Sequence, residues 1–352
     1  MAQLILDGMI HIYNTTFDHG DPRVQNWPLM QSPMPTIGIC LSYVYLVKYL
    51  GPSFMKDRKP YNIRFLMVFY NSLMVVISLF MFIKLGIYGW FGKYNLKCQP
   101  VDYSNSVEAV GMAHLSWWYY ISKFLEFFDT IFFVLRKKFT HVSTLHVIHH
   151  GVMPMSVWWG VKFTPGGHST FFAFVNSFVH IIMYIYYALS AVGPHMHRYL
   201  WWKKYMTTIQ MVQFVFIFVH SFQLLFRDCN YPRGFMWWIG FHAVMFWFLF
   251  WDFYKSTYSG VLLRKSKSSS TTNSAGATTT AAATTTTTTR SSSSLSSVLS
   301  SLPSMCSLEY EQLSNGYQTN GTVSPDANSK TTNNHSNGVH KAHKNGIKFK
   351  DL

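Results

Sequence analysis

The chain has 352 residues, of which 49% are hydrophobic, 18% are aromatic and only 12% are charged. Because soluble domains carry about 25% charged residues, this composition argues against an ordinary soluble cytosolic protein. The formal net charge of +15 favours anionic partners. However, the basic residues form short clusters between long apolar runs, which is typical of membrane loops and not of a nucleic-acid interface.

Seven apolar segments recur beyond Met34, and each is near the ~20 residues that cross a bilayer as a helix. They cover roughly 34–51, 62–84, 109–135, 145–163, 169–192, 206–226 and 236–256. Helices satisfy their own backbone hydrogen bonds inside a membrane, and the sequence shows no alternating short strands typical of a barrel. The sequence therefore predicts an all-α integral membrane fold, with seven transmembrane helices over 34–256.

The basic residues predict the orientation of this bundle. They follow the first, third and fifth segments, as Lys56, Arg58 and Lys59, then Arg136, Lys137 and Lys138, then Arg198, Lys203 and Lys204. Loops rich in Lys and Arg face the cytosol. The segment over 1–33 is then lumenal and the C-terminus cytosolic. No cleaved signal peptide is predicted, because Asp7 interrupts the apolar stretch at the start.

Two features belong to the predicted lumenal side. Asn14 opens an Asn-Thr-Thr tripeptide, which makes it a candidate for glycosylation. Cys98 and Cys229 lie in two lumenal loops, where oxidation is permitted, so they form either a disulfide or two free thiols.

The region over 257–352 differs from the rest in composition. Between 268 and 301, 23 of 34 residues are Ser or Thr, and Arg290 carries the single charge. Such a stretch does not bury enough apolar surface to offset its ordering entropy. This region is therefore predicted to be a disordered, low-complexity tail.

Four polar clusters lie inside the apolar segments. They are Lys123, Glu126, Asp129 and Thr130; His146, His149 and His150; Asn176, His180, Tyr184, Tyr186 and Tyr187; and Thr207, Gln210 and Gln213. Each charge in a spanning helix costs roughly 2.5 to 3.5 kcal/mol and needs a partner or a purpose. Spacings of three and four place each cluster on one helix face at a similar membrane depth. They predict one polar chamber that opens to the cytosol.

A structural interpretation competes with this one. Intramembrane Asn and Gln often serve as hydrogen bonds between helices, and Lys123 with Glu126 would form a self-neutralising ion pair. Three histidines on one helical turn, with a fourth nearby at His180, favour chemistry instead. Tyr184 and Tyr187 are more typical of packing. His114, His220 and His242 are isolated in the sequence and are interpreted as packing residues.

The histidine box suggests either a metal or a nucleophile. Membrane di-iron desaturases and hydroxylases carry about eight histidines in several boxes, whereas this chain has one box. Three histidines on one helix do not by themselves converge on a tetrahedral zinc ion, so no metal site is predicted. A neutral imidazole has a lone pair that attacks a thioester, and Asp129 or Glu126 would orient it through its second nitrogen.

The four clusters together resemble the ELO family of very-long-chain fatty acid elongases. They match KxxExxDT at Lys123, HxxHH at His146, NxxxHxxMYxYY at Asn176 and TxxQxxQ at Thr207, complete and in order. The resemblance covers roughly residues 30–260. It implies a seven-helix enzyme of the endoplasmic reticulum that condenses acyl-CoA with malonyl-CoA, releasing CO2 and CoA and giving a 3-oxoacyl-CoA.

The resemblance also implies roles for particular residues. The acyl chain would lie in a closed tunnel within the bundle and be carried transiently by His149, with His180 facing it across the chamber. His146, His150 and Asn176 are then candidates for stabilising thioester or enolate oxygens. Further residues would support the chamber: Lys123, Glu126, Asp129, Tyr184, Tyr187, Gln210 and Gln213. A Cys98–Cys229 disulfide also fits the family pattern.

No bound cofactor is expected, because acyl-CoA and malonyl-CoA are the substrates. The expected partners are these substrates, membrane lipid, further copies of the chain and other enzymes of the elongation cycle. Lys348 and Lys350 resemble a dilysine retrieval signal for the endoplasmic reticulum, which needs a cytosolic C-terminus. His141 stands where many polyunsaturated-chain elongases carry Gln, which favours saturated or monounsaturated chains.

The sequence leaves two other classes of function open. One is a His-box desaturase or hydroxylase, and the other is a seven-helix receptor or transporter without enzymatic activity. Release of CoA and retention of the acyl group after incubation with acyl-CoA alone would distinguish a condensing enzyme from both.

Overall fold

We describe residues 19–259 from a computed structural model of the chain. Within this range the regular structure is helical, with nine α-helices and short 3-10 and π segments. The helices are α1 (Met34–Tyr45), α2 (Gly51–Met55), α3 (Arg64–Leu85), α4 (Val107–Leu125), α5 (Phe127–Leu135), α6 (Thr144–Phe163), α7 (Thr170–Val192), α8 (Lys203–Phe222) and α9 (Arg233–Tyr254). The glycosylation candidate Asn14 and nearly all of the predicted tail lie outside the described residues.

Five helical stretches are long and apolar enough to cross a membrane. They are Met34–Met55, Arg64–Trp90, Gly167–Val192, Lys203–Phe226 and Arg233–Tyr258. The membrane and all-α predictions are thus supported, but the predicted count of seven spans is not confirmed within residues 19–259. The other two predicted spans correspond to α4 with α5 and to α6, which carry the Lys-Glu-Asp cluster and the histidine box.

Particular pairs of helices pack together in the bundle. Helix α3 packs most extensively on α7, α8 packs on α9, and α6 packs on both α1 and α4. The largest core cluster contains Met112, Tyr120 and Trp158, all fully buried. Helix α4 contacts both α6 and α7, and the first three polar clusters meet around it.

The third predicted span is broken where its polar cluster lies. Helix α4 ends at Leu125 and α5 starts at Phe127, with Glu126 between them at φ −63° and ψ −15°. Glu126 itself keeps a right-handed helical conformation, and its amide bonds the Ser122 carbonyl at 3.1 Å. Lys123 and Glu126 thus lie at the end of α4, whereas Asp129 and Thr130 belong to α5.

One end of the bundle is closed by a disulfide and by an N-terminal strap, which we define as residues 20–32. Cys98 and Cys229 are bonded, with Cα atoms 5.7 Å apart, and join the α3–α4 loop to the α8–α9 loop. In the strap, the Leu29 carbonyl accepts a hydrogen bond of 2.7 Å from Trp158 Nε1, and Met30 is fully buried. We call this the disulfide end.

Helices α4 and α6 each begin with a serine N-cap. Ser106 accepts a hydrogen bond from the Ala109 amide at the start of α4, and Ser143 accepts one from the His146 amide at the start of α6. Such N-caps satisfy amides that lack an intrahelical partner. Ser143 therefore fixes the first turn of the helix that carries the histidine box.

Candidate functional site

A buried ion pair lies at the centre of the site, beside the break between α4 and α5. Lys123 Nζ is 2.6 Å from Glu126 Oε1, and each side chain is 2% exposed. An isolated charge at this depth would be costly, whereas the pair with further hydrogen bonds is tolerated. The two residues expected to neutralise each other do so.

Two further side chains complete the surroundings of the ammonium group. Asn176 Oδ1 on α7 accepts hydrogen bonds from Lys123 Nζ at 3.3 Å and from the Tyr119 hydroxyl at 2.7 Å. Lys123 Nζ also lies 4.3 Å from the centre of the Tyr119 ring. Tyr119 belongs to none of the sequence motifs. It lies one turn before Lys123 on α4, which is the signal that would have pointed to it.

The carboxylate of Glu126 lies between the ion pair and two histidines. Its Oε1 is 3.4 Å from His180 Nδ1, and its Oε2 is 3.8 Å from His150 Nδ1. His150 Nδ1 is buried and makes no hydrogen bond within residues 19–259. The carboxylate expected to orient an imidazole thus lies beside His150 and His180.

The histidine box forms a compact group of rings at the start of α6. The rings of His149 and His150 are 5.1 Å apart, and those of His146 and His150 are 4.3 Å apart. His149 also packs edge to face on Phe246 of α9, at 4.8 Å between centroids. We call the space around these three rings, His180 and Glu126 the chamber.

Asp129 has a different partner from the one expected. It was a candidate for orienting an imidazole, but its Oδ2 accepts a hydrogen bond of 2.9 Å from the fully buried Tyr184 hydroxyl. The Tyr184 ring in turn contacts His180 and Tyr187, at 5.7 and 6.0 Å between centroids. The hydrogen bond between Asp129 and Tyr184 therefore links α5 to α7. Asp129 is connected to the chamber through Tyr184, whose ring contacts His180.

The glutamines of α8 lie at the edge of the site. Gln210 Nε2 donates to Met183 Sδ on α7 at 3.5 Å. Gln213 is buried, and its Oε1 has no hydrogen-bond partner in the described part of the chain. Neither glutamine makes a hydrogen bond to the histidine box within residues 19–259, so their contact with the chamber stays a prediction.

Two cavities lie near the site; the first borders the ion pair, and Tyr119 lines both. The first, of about 10 Å³, is lined by Met74, Ile77, Ser78, Met81, Tyr119, Ser122, Lys123, Glu126, Ser177 and His180. The second, of about 50 Å³, lies toward the disulfide end and is lined mainly by α4, α6, α7 and α9. We call the second one the distal cavity.

Hydroxyl groups line part of the distal cavity but are already bonded. Ser116 donates to the Met112 carbonyl at 3.0 Å, Thr164 to the Gly160 carbonyl at 3.2 Å and Thr170 to the Gly167 carbonyl at 2.8 Å. Their side-chain protons are used within their own helical turns. Val157, Phe172 and Ile239 are among the apolar residues that complete the lining.

One histidine interpreted as isolated is paired. His220 stacks on His168 with ring centroids 3.8 Å apart, and the His220 carbonyl bonds His168 Nε2 at 2.8 Å. His168 was not singled out in the sequence, because a single histidine after two glycines forms no helical pattern. This pair lies at the disulfide end and makes no contact with the chamber within the described residues.

Comparison with known proteins identifies the relatives of this chain. The family model described as the GNS1/SUR4 family matches residues 28–270. A very long chain fatty acid elongase of Aedes aegypti is 61% identical over 262 residues, which are 74% of this chain and 72% of that protein. Very long chain fatty acid elongase 7 of Drosophila melanogaster is 61% identical over 239 residues, covering 68% and 73% of the two chains. Human very long chain fatty acid elongase 1 is 45% identical over 256 residues, covering 72% and 92%.

Proposed function

The chain belongs to the GNS1/SUR4 family and is a membrane enzyme of fatty acid elongation, a 3-oxoacyl-CoA synthase, and we propose that it works through an acyl-histidine intermediate on His149. Its substrates would be a long-chain acyl-CoA and malonyl-CoA, with no bound cofactor. The observation that carries the proposal is a buried carboxylate with His150 and His180 beside it, the rings of His146 and His149 packed on His150, and a cavity lined by Glu126 and His180.

The first stage is acyl transfer to the protein. A neutral His149 nitrogen attacks the thioester carbonyl carbon, the carbon–sulfur bond breaks, and the imidazole proton leaves with the thiolate as CoA. His149 is partly exposed and packs on Phe246, so a substrate reaches it beside an apolar wall. A chamber poor in water limits hydrolysis of the acyl-imidazole.

The second stage forms the new carbon–carbon bond. Malonyl-CoA loses CO2, and the resulting enolate carbon attacks the acyl carbon as the carbon–nitrogen bond breaks. The imidazole takes up one proton and is ready for another cycle. His146, His150, His180 and Asn176 are the donors that we propose for the negative charge that develops on oxygen.

The ion pair has an electrostatic role in this scheme. Lys123 compensates Glu126, so the carboxylate stays buried beside His150 and His180 without an unpaired charge. We propose that the negative charge of Glu126, 3.4 Å from His180 Nδ1 and 3.8 Å from His150 Nδ1, favours one orientation of these two rings. We propose that Tyr184 and Tyr187 position the chamber through Asp129 and that Gln210 and Gln213 line it.

The acyl chain would enter the distal cavity. His149 lies on α6 and Thr164 directly follows its last residue, fifteen residues on, which corresponds to about 22 Å along the helix axis at 1.5 Å per residue. That distance suits a long hydrocarbon lying beside α6. Saturated and monounsaturated chains are the class that we propose, as the sequence at His141 suggests.

The decisive experiment uses the full chain and isotopically labelled acyl-CoA without malonyl-CoA. The wild type should release CoA and gain the mass of one acyl group on the His149 peptide. His149→Ala should do neither. His114→Gln serves as a matched control, because the His114 ring stacks on Trp27 of the strap, 4.4 Å between centroids. Condensation by His149→Ala, with bound iron in stoichiometric amount, would contradict the proposal.

We further propose that the protein resides in the endoplasmic reticulum membrane, with a lumenal N-terminus and a cytosolic C-terminus. The disulfide supports this orientation, since such bonds persist in oxidising compartments. Endoglycosidase treatment of the expressed chain tests it. A mobility shift that Asn14→Gln removes is expected, whereas cytosolic exposure of residue 14 would reverse the orientation.

A further inference from the structure

A chain of three side chains from three helices ends at the first histidine of the box. The Tyr43 hydroxyl on α1 lies 2.8 Å from Thr130 Oγ1 on α5, and Thr130 Oγ1 lies 2.8 Å from His146 Nε2 on α6. Tyr43 is 4% exposed and Thr130 is fully buried. Two hydrogen bonds in series thus connect a tyrosine outside all four motifs to the chamber.

The hydroxyl protons of Tyr43 and Thr130 indicate which group donates in each of these two hydrogen bonds. Each hydroxyl donates one proton and accepts others. The direction from Tyr43 through Thr130 to His146 Nε2 gives both hydroxyl protons an acceptor, whereas the reverse direction gives the Tyr43 proton none of the hydrogen bonds found within residues 19–259. We therefore assign Tyr43 as donor to Thr130 and Thr130 as donor to His146 Nε2. His146 then carries its own proton on Nδ1.

Packing holds both ends of the chain in place. The Tyr43 ring stacks on Phe127 at 4.1 Å between centroids, with an interplanar angle of 16°. The His146 ring lies 4.3 Å from His150, whose Nδ1 is 3.8 Å from Glu126 Oε2. The orientation of Tyr43 is thereby transmitted through Thr130 to a ring that contacts the chamber.

We propose that Tyr43 is a positioning residue for the elongation reaction. Through Thr130 it holds His146 in one tautomer and one orientation, so that Nδ1 is a fixed N–H donor. A donor that is oriented before the reaction stabilises developing negative charge without reorganisation. This inference rests on the proposed function, because it assigns Tyr43 an effect on acyl transfer in the chamber.

The protein contains a second buried hydroxyl pair that serves as a matched control for Tyr43 and Thr130. The Thr36 and Tyr120 hydroxyls are 2.6 Å apart, and both residues are fully buried. This pair joins α1 to α4 as Tyr43 and Thr130 join α1 to α5, but no histidine continues it within the described residues. Tyr120→Phe thus removes the same kind of buried hydrogen bond without acting on His146.

The first test compares kcat and KM for condensation in Tyr43→Phe and Tyr120→Phe. Tyr43→Phe keeps the ring that stacks on Phe127, and we expect kcat to fall about tenfold, the effect of one hydrogen bond, with KM within about twofold. Tyr120→Phe should keep kcat. Equal loss of kcat in both variants would overturn the proposal, because a structural effect alone would explain it.

The second test changes the middle of the chain. Thr130→Val should lower kcat as Tyr43→Phe does, and Thr130→Ser, which keeps the hydroxyl, should restore it. The double variant Tyr43→Phe with Thr130→Val should be no slower than either single variant, since the residues act in series. Losses that multiply would overturn the proposal. A wild type that does not condense would contradict the proposed function itself, whereas a normal Tyr43→Phe contradicts only this inference.

Discussion

The chamber and the disulfide end both contain buried histidines, but the two regions use them differently. In the chamber, His150 and His180 lie beside the Glu126 carboxylate and next to a cavity. At the disulfide end, His168 and His220 stack on each other, and His168 bonds a backbone carbonyl. In the chamber, imidazole nitrogens lie beside the Glu126 carboxylate and next to a cavity. At the disulfide end, the imidazole rings mainly pack against each other.

The difference indicates where stability and chemistry reside. The disulfide end joins distant segments through Cys98–Cys229 and through the strap, whose Asp21 amide bonds the Lys162 carbonyl at 2.8 Å. The chamber instead buries a charged pair, which is weak evidence for stability by itself. We therefore expect substitutions at the disulfide end to lower stability while kcat is kept, and substitutions in the chamber to lower kcat.

The largest effect is expected for the buried ion pair. Glu126→Gln leaves the Lys123 charge unpaired at 2% exposure, which costs roughly 3 to 5 kcal/mol, and it removes the acceptor beside two histidines. We expect a loss of activity of about 100-fold or more together with a lower thermal stability. Turnover and thermal inactivation of the purified enzyme measure both.

A double variant separates the two effects of that change. Lys123→Met combined with Glu126→Gln removes both charges, so most of the stability should return while activity stays low. Recovery of activity in the double variant would show that the pair only neutralises itself.

The disulfide should show the opposite behaviour. Replacing Cys98 and Cys229 by Ser opens a link between residues 131 apart, for which the typical loss is about 2 to 4 kcal/mol. We expect a lower temperature of thermal inactivation and unchanged kcat well below that temperature. A fall in kcat at low temperature would mean that the disulfide end shapes the chamber.

A smaller loss of stability is expected at Gly167. It has φ +65°, and a Cβ there would lie 2.8 Å from the Pro100 carbonyl carbon and oxygen. Gly167→Ala should therefore destabilise by about 1 to 2 kcal/mol, with kcat kept. Gly38→Ala is the control, since nothing lies within 4 Å of its Cβ position and alanine favours a helix. Equal thermal stability of the two variants would contradict this reading of Gly167.

The smallest effects compare matched helix caps at the two ends. Ser143→Ala and Ser106→Ala each remove one N-cap and should cost about 1 kcal/mol of stability. Only Ser143→Ala should also lower kcat, because the histidine box begins at His146, the third residue of α6. Thermal inactivation and kcat of both variants make the comparison, and a matching fall in kcat for Ser106→Ala would remove the distinction.

Much of the architecture could be predicted because its causes are local. Apolar runs of membrane length predicted helices close to those observed from α3 to α9, and residues three or four apart predicted that Lys123 would meet Glu126. The break at Glu126 was not predicted, because the apolar pattern continues through it. Helix α5 has only nine residues, and polar residues lower the hydropathy of α4 and α6, so only five stretches of the described chain are both long and apolar enough to be spans.

The remaining parts of the site depend on contacts between distant residues. Tyr43 contacts Thr130 across 87 residues, and His168 bonds His220 across 52. Neither Tyr43 nor His168 belongs to a periodic pattern with its partner, so spacing gives no signal for the pair. Tyr119 differs, since it lies four residues before Lys123 and a polar stripe extended by one turn would have included it.

The disulfide can form only late in the synthesis of the protein. Cys229 leaves the ribosome 131 residues after Cys98, when α4 to α8 have already been made. The bond between them therefore closes only after those helices have been inserted and the last helical hairpin has begun. A shift of electrophoretic mobility under non-reducing conditions, followed in pulse-chase labelling, would report how many nascent chains have reached that stage.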